Sequence, residues 1–524
     1  MRLTGTGHAG LRIDTPAGSI LCDPWIGPAF FASWFPFPDN SHLDWRRLGQ
    51  VDFLYISHLH RDHFDPGLLR RSVTHEATVL LPDHPGSEME GRLRGLGFTR
   101  FIRTRSNEPV DLGGGLAVMI QALASPADGP LGDSSLWVEH DGVRLLDQND
   151  ARPADLAEFA RLGDVHAHLL QFSGAIWYPM VYDLPPATKA SLGRQKRERQ
   201  IDRTMRYIDD LRAGWVFPIA GPPCFLDDEL WDLNDLDGDE ANIFPDQRAF
   251  LAAYHRRGHA NGVILLPGSV AELGRDGCTV THPVDDVDGF FDAKETHLRA
   301  YRERQRPVIA AAKASWRHPQ IDVVEGVKRR VEPLLRASMY LAERMCPVLL
   351  DLEDDAGALA DRVLVDPAAR QVRSYAGEEV GFRFVTGRAL VEHLLHTGDV
   401  DWVNSLFLSC RFSATRCGPY NEAVFTFFKC LSAERLRRAE AWYAERETDT
   451  EEITLGDWVV QRRCPHLNAD LSRFAVIDGG VLTCQMHGWK FDLGTGRCLT
   501  SETHAIRVRV RPSSAVAPGR AGPA

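Results

Sequence analysis

Four residues near one end of this chain constrain its folding more than any others. Cys464-Pro-His466 is followed, after seventeen intervening residues, by Cys484-Gln-Met-His487-Gly-Trp-Lys-Phe491. Each short segment offers one sulfur and one imidazole, so the two must close on a centre that accepts two of each. A cluster of two irons, with two thiolates on one iron and two imidazoles on the other, takes that set. Asp457-Trp-Val-Val460 reads as a strand entering the first loop, and His487-Gly-Trp489 as a tight turn leaving the second. Zinc would use the same four residues, but zinc fingers rarely show the C-x-H order or the G-W-K-F continuation. Cys464, His466, Cys484 and His487 are therefore expected to bind a [2Fe–2S] cluster in a small all-β module over 451–512.

Over about 450–512 this segment resembles the Rieske ferredoxins and Rieske oxygenases. High-potential members of that class add a cysteine to each loop, joined as a disulfide. Leu467 and Gln485 stand at such positions here, which disfavours that subtype. Cys498 lies outside the loops and is expected to serve packing. His466 and His487 are expected to be exposed and to form the exit for electrons. A one-electron carrier performs no substrate chemistry alone, so a partner site is implied within the chain or outside it.

A second concentration of chemistry lies near the other end. Ser57-His58-Leu-His60-Arg-Asp62-His63 follows directly on the apolar run Val51–Ile56. His58 and His60 fall on one side of an extended stretch and can share one metal ion. The turn that follows brings Asp62 and His63 towards a second. A solvated polar turn is the alternative, but so dense a group would be costly to desolvate without metal.

This motif resembles the metallo-β-lactamase superfamily over roughly 1–285, and more closely the corresponding part of CMP-N-acetylneuraminate hydroxylase-like proteins. Four stretches carry the likeness: Thr6-Gly-His8-Ala-Gly10, Ile20-Leu-Cys-Asp-Pro-Trp25, Tyr55-Ile-Ser-His-Leu-His60 and Phe172-Ser-Gly-Ala-Ile-Trp-Tyr-Pro-Met180. Gly221–Phe225, Ile243–Gln247 and Val400–Arg416 are similar too. The hydroxylases also join this fold to a Rieske domain, there placed first. The resemblance implies an αββα sandwich with an acidic bridging residue after a later strand, where Asp150 fits. It also implies a ligand near 124–134, where Asp128 and Asp133 are the available residues. His8 resembles a residue near the metal in related folds, and His166 and His168 are further candidates. The metal set is thus His58, His60, Asp62, His63, Asp150 and Asp133, with His58, His60, Asp62 and His63 as the catalytic group. Few late histidines make an oxygen-rich site, which suits iron better than zinc.

The rest of the chain reads as α/β to about 285, then a mixed α+β region over 286–450 without a motif of its own. Gly18–Cys22, Val51–Ile56, Thr78–Leu81 and Ser135–Glu139 read as strands, and Lys189–Leu211 as a basic helix with a solvated face. Phe225–Glu240 reads as a solvated acidic loop, because Leu236 stands where a calcium loop needs oxygen. Helices are expected over Lys294–Arg304, Val327–Met345, Thr386–Leu395 (with Thr386 as N-cap) and Asn421–Arg446. Residues 445–452 read as a linker, and 513–524 as a disordered tail. With 524 residues, the chain has length for two or three domains. A net charge of −12 disfavours nucleic acid. Absence of a signal-like start or a spanning apolar run points to a cytoplasmic protein without a membrane partner, and ten cysteines in such a length are no disulfide framework.

These readings converge on a non-haem iron oxygenase, of the monooxygenase or hydroxylase kind, using O2 as co-substrate and one or two irons in the first domain. The substrate is expected to be a small metabolite, an amino sugar or nucleotide-linked sugar of bacterial secondary metabolism. A Rieske cluster relays electrons but generates none, so an external donor (ferredoxin, reductase or small cytochrome) is expected. Docking of the linked cluster on its own or a neighbouring chain makes a homo-oligomer one expected form. The alternative is a zinc metallohydrolase with an accessory Rieske domain. A pure electron carrier is a third possibility, disfavoured by the intact metal motif.

Overall fold

In the computed structural model, residues 1–124, 132–174, 177–446, 450–466, 468–486, 488–501 and 504–511 are described. The chain divides into two compact units, Met1–Tyr443 and Ala444–Ala524.

Two sheets form the first part of the larger unit. The first contains β1 (Arg2–Gly7), β2 (Gly10–Thr15), β3 (Gly18–Cys22), β4 (Phe53–Tyr55), β5 (Thr78–Leu81) and β6 (Phe101–Arg103). The second contains β7 (Pro109–Gly113), β8 (Leu116–Leu123), β9 (Asp133–His140), β10 (Val143–Asn149), β11 (Ala167–Gln171) and β12 (Trp215–Ile219). Two further strands, β13 (Val270–Leu273) and β14 (Cys278–Thr281), complete the first sheet in the order β14-β13-β1-β2-β3-β4-β5-β6; the second runs β12-β11-β10-β9-β8-β7. Both are mixed: hairpins build one part of each, while β3 to β6 and β10 to β12 run parallel.

Alternation along the strands explains the layering. Ile20, Tyr55 and Leu80 point inward and share a core with Ile120, Leu136, Leu145, Leu169 and Phe217 of the facing sheet. Their neighbours Leu21, Leu54 and Val79 point outward and pack under Leu69, Met89 and Leu93 of the helices Pro66–Ser72 and Glu88–Gly95. Helices Pro186–Leu211 and Gln247–Arg256 cover the other sheet, against β11 and β12. The result is the αββα sandwich that the resemblance implied.

The region after 285 adds a five-stranded sheet, β17-β16-β15-β18-β19: β15 (Val348–Glu353), β16 (Leu359–Asp366), β17 (Gln371–Ser374), β18 (Phe382–Gly387) and β19 (Phe412–Arg416). Helices Val323–Ala337, Arg388–Thr397 and Glu422–Lys429 supply residues to its core. It also shares apolar cores with the sandwich, since Leu408 and Cys410 pack among Trp25, Trp34 and Phe225. Several expected elements shift. Gly387, not Thr386, caps Arg388–Thr397, because the Thr386 hydroxyl donates instead to Arg411 O. Asn421 caps a helix ending at Lys429, and Ala433–Arg446 is separate. The acidic Phe225–Glu240 stretch is not wholly a solvated loop. It holds a 3-10 turn over Asp228–Asn234, and buried Asp227 pairs with Arg411 at 2.6 Å and Lys313 at 2.8 Å.

The described residues of the smaller unit form two three-stranded sheets and a short helix, Leu471–Phe474. One is β20 (Glu452–Leu455), β21 (Trp458–Gln461) and β25 (Val508–Val510); the other is β22 (Ala475–Asp478), β23 (Val481–Cys484) and β24 (Trp489–Asp492). The expected tail, 513–524, lies outside the described residues. No helix among the described residues is long and apolar enough to cross a membrane.

Candidate metal centres

The histidine motif begins where β4 ends. β3 and β4 are parallel with Cys22 opposite Tyr55, so Asp23 and Ser57 leave the sheet side by side. The Asp23 carboxylate accepts from Ser57 N at 2.8 Å and Ser57 Oγ at 2.5 Å, and faces His63 Nδ1 at 2.8 Å. It therefore fixes the His63 ring with Nε2 turned away. A tight turn, in which Phe64 N donates to His60 O, carries the chain from His60 to His63.

Other elements converge on this turn. His8, in the β1–β2 turn, sets Nε2 3.0 Å from Asp62 Oδ2. Asp150, just beyond β10, places Oδ1 3.4 Å from His63 Nε2. Asp133 opens β9 and lies 3.1 Å from His58 Nδ1, while His58 Nε2 stands 2.8 Å from His60 Nδ1. Two sets of three possible donors result, His58/His60/Asp150 and His8/Asp62/His63, each with its donor atoms within 4.8 Å of one another.

Asp133 belongs to neither set. Its carboxylate meets the ring nitrogen of His58 opposite the one facing His60, the place of an orienting group. His168 is buried with Nε2 2.9 Å from Gln148 Oε1, and burial lowers its pKa to about 3. His166 Nδ1 accepts from Arg144 N, so neither late histidine joins the sets. Asp128 lies outside the described residues. Asp23 carried no assignment in the sequence, although its place after β3, beside a parallel strand ending in the motif, was the available signal.

The electrostatics are those of a buried mixed cluster. Burial, then neighbouring His58, pushes the pKa of His60 down to about 3, which leaves a neutral donor. Burial opposes the charged forms of Asp62 and His63. Even so, His63 and His8 hold Asp62 down at about 2, and Asp150, Asp62 and Asp23 hold His63 well above the usual imidazole range. His60 Nε2, Asp62 Oδ1, His63 Nε2 and Asp150 Oδ1 are all buried without a hydrogen-bond partner. One such orphan costs roughly 1–3 kcal/mol, and more when charged. His63 Nε2 and Asp150 Oδ1 face each other at 3.4 Å, and the donor set, all nitrogen and oxygen, fits a site for divalent metal.

In the smaller unit, Cys464 and His466 stand on the loop after β21, and Cys484 ends β23. Cys484 is paired across the sheet with Trp489, whose ring stacks on His466 at 4.0 Å, so the two loops meet. Both cysteines are buried. The Cys464 N–H donates to Ala469 O, and the Cys484 carbonyl accepts from Gly488 N, turns that aim both thiols inward. His466 is itself only 5 % exposed, a correction to the expectation of an exposed ring; stacking on Trp489 covers it. His487 and Leu467 lie outside the described residues. Cys498 is buried opposite Phe491. Two buried thiols beside an imidazole, on adjoining loops, fit the [2Fe–2S] ligand set.

A C-terminal β unit with this Cys/His loop pair makes the chain an iron–sulfur protein of the Rieske class. Residues 448–510 match the Rieske [2Fe-2S] domain model, and 323–445 match an Rv3818-like, SCP2-like domain model. The chain is 48% identical over 516 residues to a protein of Mycolicibacterium smegmatis that bears the provisional name Rieske 2Fe-2S iron-sulfur protein, covering 97% of this chain and 99% of that one. A Mycobacterium tuberculosis (strain H37Rv) relative of the same provisional name is 46% identical over 518 residues, with the same coverage. The chain belongs to this family of Rieske 2Fe-2S iron–sulfur proteins. A shorter likeness, 37% over 234 residues, is to the cytidine monophosphate-N-acetylneuraminic acid hydroxylase of Pan troglodytes; it covers 42% of this chain and 38% of that protein.

Proposed function

We propose that the protein is a Rieske-dependent, non-haem iron oxygenase in which His58, His60 and Asp150 hold one metal ion and His8, Asp62 and His63 a second. The observation that carries this reading is the pairing, in one chain, of a Rieske module with two histidine–carboxylate sets whose donor atoms converge within 4.8 Å. Hydrolysis on zinc consumes no electrons and would leave the Rieske module without work, whereas oxygenation consumes them one at a time. The name of the partial relative, a hydroxylase, agrees with this.

When bound, iron supplies the O2 activation and the cluster supplies electrons from an external donor. The chain's own residues set the conditions. Asp23 and Asp133 hold His63 and His58 by their Nδ1 atoms, which leaves Nε2 of each for the centre. Burial of His8, His58, Asp62 and His63 strengthens each charge interaction, while His60 and Asp150 are only half-buried. His60, held neutral, and Asp62, held ionised, are in the protonation states that ligation needs, whereas His63, held above the imidazole range by its acidic neighbours, must give up its Nε2 proton to become a ligand.

Iron, zinc and acid-labile sulfide measured on anaerobically purified protein, together with reductant-dependent O2 uptake, test the reading. Iron beyond the two atoms of the cluster is expected. Zinc in the larger unit without O2 uptake returns the chain to the hydrolase alternative.

A further inference from the structure

The Pro186–Leu211 helix buries a face that does not belong in an ordinary core. Lys196, Gln200 and Arg203 follow one another at spacings of four and three, so they share one side of the helix, and all three are buried. This corrects the sequence expectation of a solvated basic face. A buried helical stripe is normally apolar, because an unpaired ammonium is costly to remove from water.

For Lys196, no carboxylate among the described residues compensates this cost. Lys196 Nζ donates to Tyr178 O at 3.0 Å and sits 5.7 Å from the centre of the Tyr178 ring. Among the described residues, none of Lys196, Arg152 and Arg199 has a carboxylate within ion-pair distance. The charges that act on Lys196 are Arg199, Arg152 and Arg203, all of its own sign. Burial first, then these neighbours, lowers the Lys196 pKa well below its ordinary value. Arg152 Nη2 donates to Gln171 Oε1 at 3.2 Å, and Gln200 Oε1, nearby, is buried without a partner. Arg152 and Arg199 are only half-buried, so the cluster can be reached from solvent.

Its location links it to the metal centres. Arg152 follows Asp150 by two residues, so their Cα atoms are within about 7 Å. Gln171 ends β11, whose parallel neighbour β10 ends one residue before Asp150. The cationic group and the metal donors therefore stand at the same strand ends.

We propose that Arg152, Lys196 and Arg199, with Arg203 adding charge behind them, form an oxyanion site that seats a phosphate or carboxylate group of the substrate beside the metal centre. The word substrate rests on the oxygenase reading; the anion site does not. Guanidinium forks meet such groups with paired hydrogen bonds, and a bound anion supplies the missing counter-charge. Neutral sugars are thereby excluded as best substrates.

Calorimetric titration of the full chain with inorganic phosphate, pyrophosphate and, separately, acetate tests this. Metal-loaded and chelator-treated protein are both used. Binding of at least one probe is expected in both states, weakened about tenfold or more by Lys196→Met or Arg152→Gln. Preference for the phosphates or for acetate then tells which group the site is built for. Thermal melts guard against misfolding. Lys196→Met should melt no lower than wild type in anion-free buffer, since it removes a buried cation, yet lose the anion-dependent rise. Lys189→Met, outside the cluster on the same helix, should keep that rise. Absence of binding, equal affinity in wild type and Lys196→Met, or binding that vanishes on chelation overturns the proposal. No arm depends on turnover. Zinc or absent O2 uptake would defeat the oxygenase reading and leave this site standing; lost anion binding with O2 uptake intact would do the reverse.

Discussion

Asp23→Asn should separate the two metal positions. Asp23 is fully buried, and its carboxylate meets Ser57 N, Ser57 Oγ and His63 Nδ1 within 2.8 Å. Asparagine keeps one acceptor oxygen but turns an amide donor towards the others, and it removes the charge that favours a proton on His63 Nδ1. Loss of such an outer partner lowers metal affinity about 10–100-fold, or roughly 1.4–2.7 kcal/mol, at the His8/Asp62/His63 position. A donor left unsatisfied costs the metal-free fold a further 1–3 kcal/mol or so. The His58/His60/Asp150 position is oriented directly by Asp133, and Asp23 reaches it only through Ser57 Oγ, 2.9 Å from His58 Nδ1, so it should be much less affected. Anaerobic titration of chelator-stripped protein with Fe(II), in competition with a chelator, resolves the two equivalents, and the cluster's optical spectrum serves as the internal control. One weakened and one unchanged equivalent is the expected result. Equal weakening of both, or of neither, refutes the assignment of Asp23 to one site.

Cys464→Ser should abolish the Rieske optical and EPR signature while metal in the larger unit, assayed by metal analysis, stays bound; loss of both would show that the units are not independent. His60→Ala and Asp62→Ala should each eliminate reductant-dependent O2 uptake while the cluster still reduces with dithionite, and retained uptake would remove the active site from this motif. Arg411→Met breaks a buried pair with Asp227, so denaturant melts should lose about 3 kcal/mol, the lower end of the usual range because Lys313 still faces that carboxylate. For His168, the folded pKa of about 3 lies below the ordinary 6.5, so its neutral form favours folding fully above pH 6.5 and that contribution falls with acid. Its share of stability should drop by about 1.4 kcal/mol per pH unit below 6.5. The stability gap between wild type and His168→Gln should narrow accordingly between pH 7 and 5; a gap constant with pH would mean that His168 protonates freely in the fold.

What could be read from the sequence was what lies close together along it. His58, His60, Asp62 and His63 fall within six residues, and each Rieske loop carries its own cysteine and histidine, so the candidate ligands of both sites could be named before any fold. The strand alternation that makes the two sheets was legible for the same reason, since burial on one face imposes a period of two. Tertiary structure decided which distant groups complete those motifs. His8 and Asp62 stand 54 positions apart in the chain, yet a turn after β1 sets them 3.0 Å apart. Asp23 reaches His63 only because β3 and β4 run parallel and end together, and Asp133 proves to orient His58 instead of joining a metal set. The basic helix reversed its reading altogether. Charge along a sequence does not say which face of a helix packing will bury, and here packing buried Lys196 and Arg203. Local chemistry is written in residue order, whereas the partner of each buried charge depends on which strand ends the fold brings together.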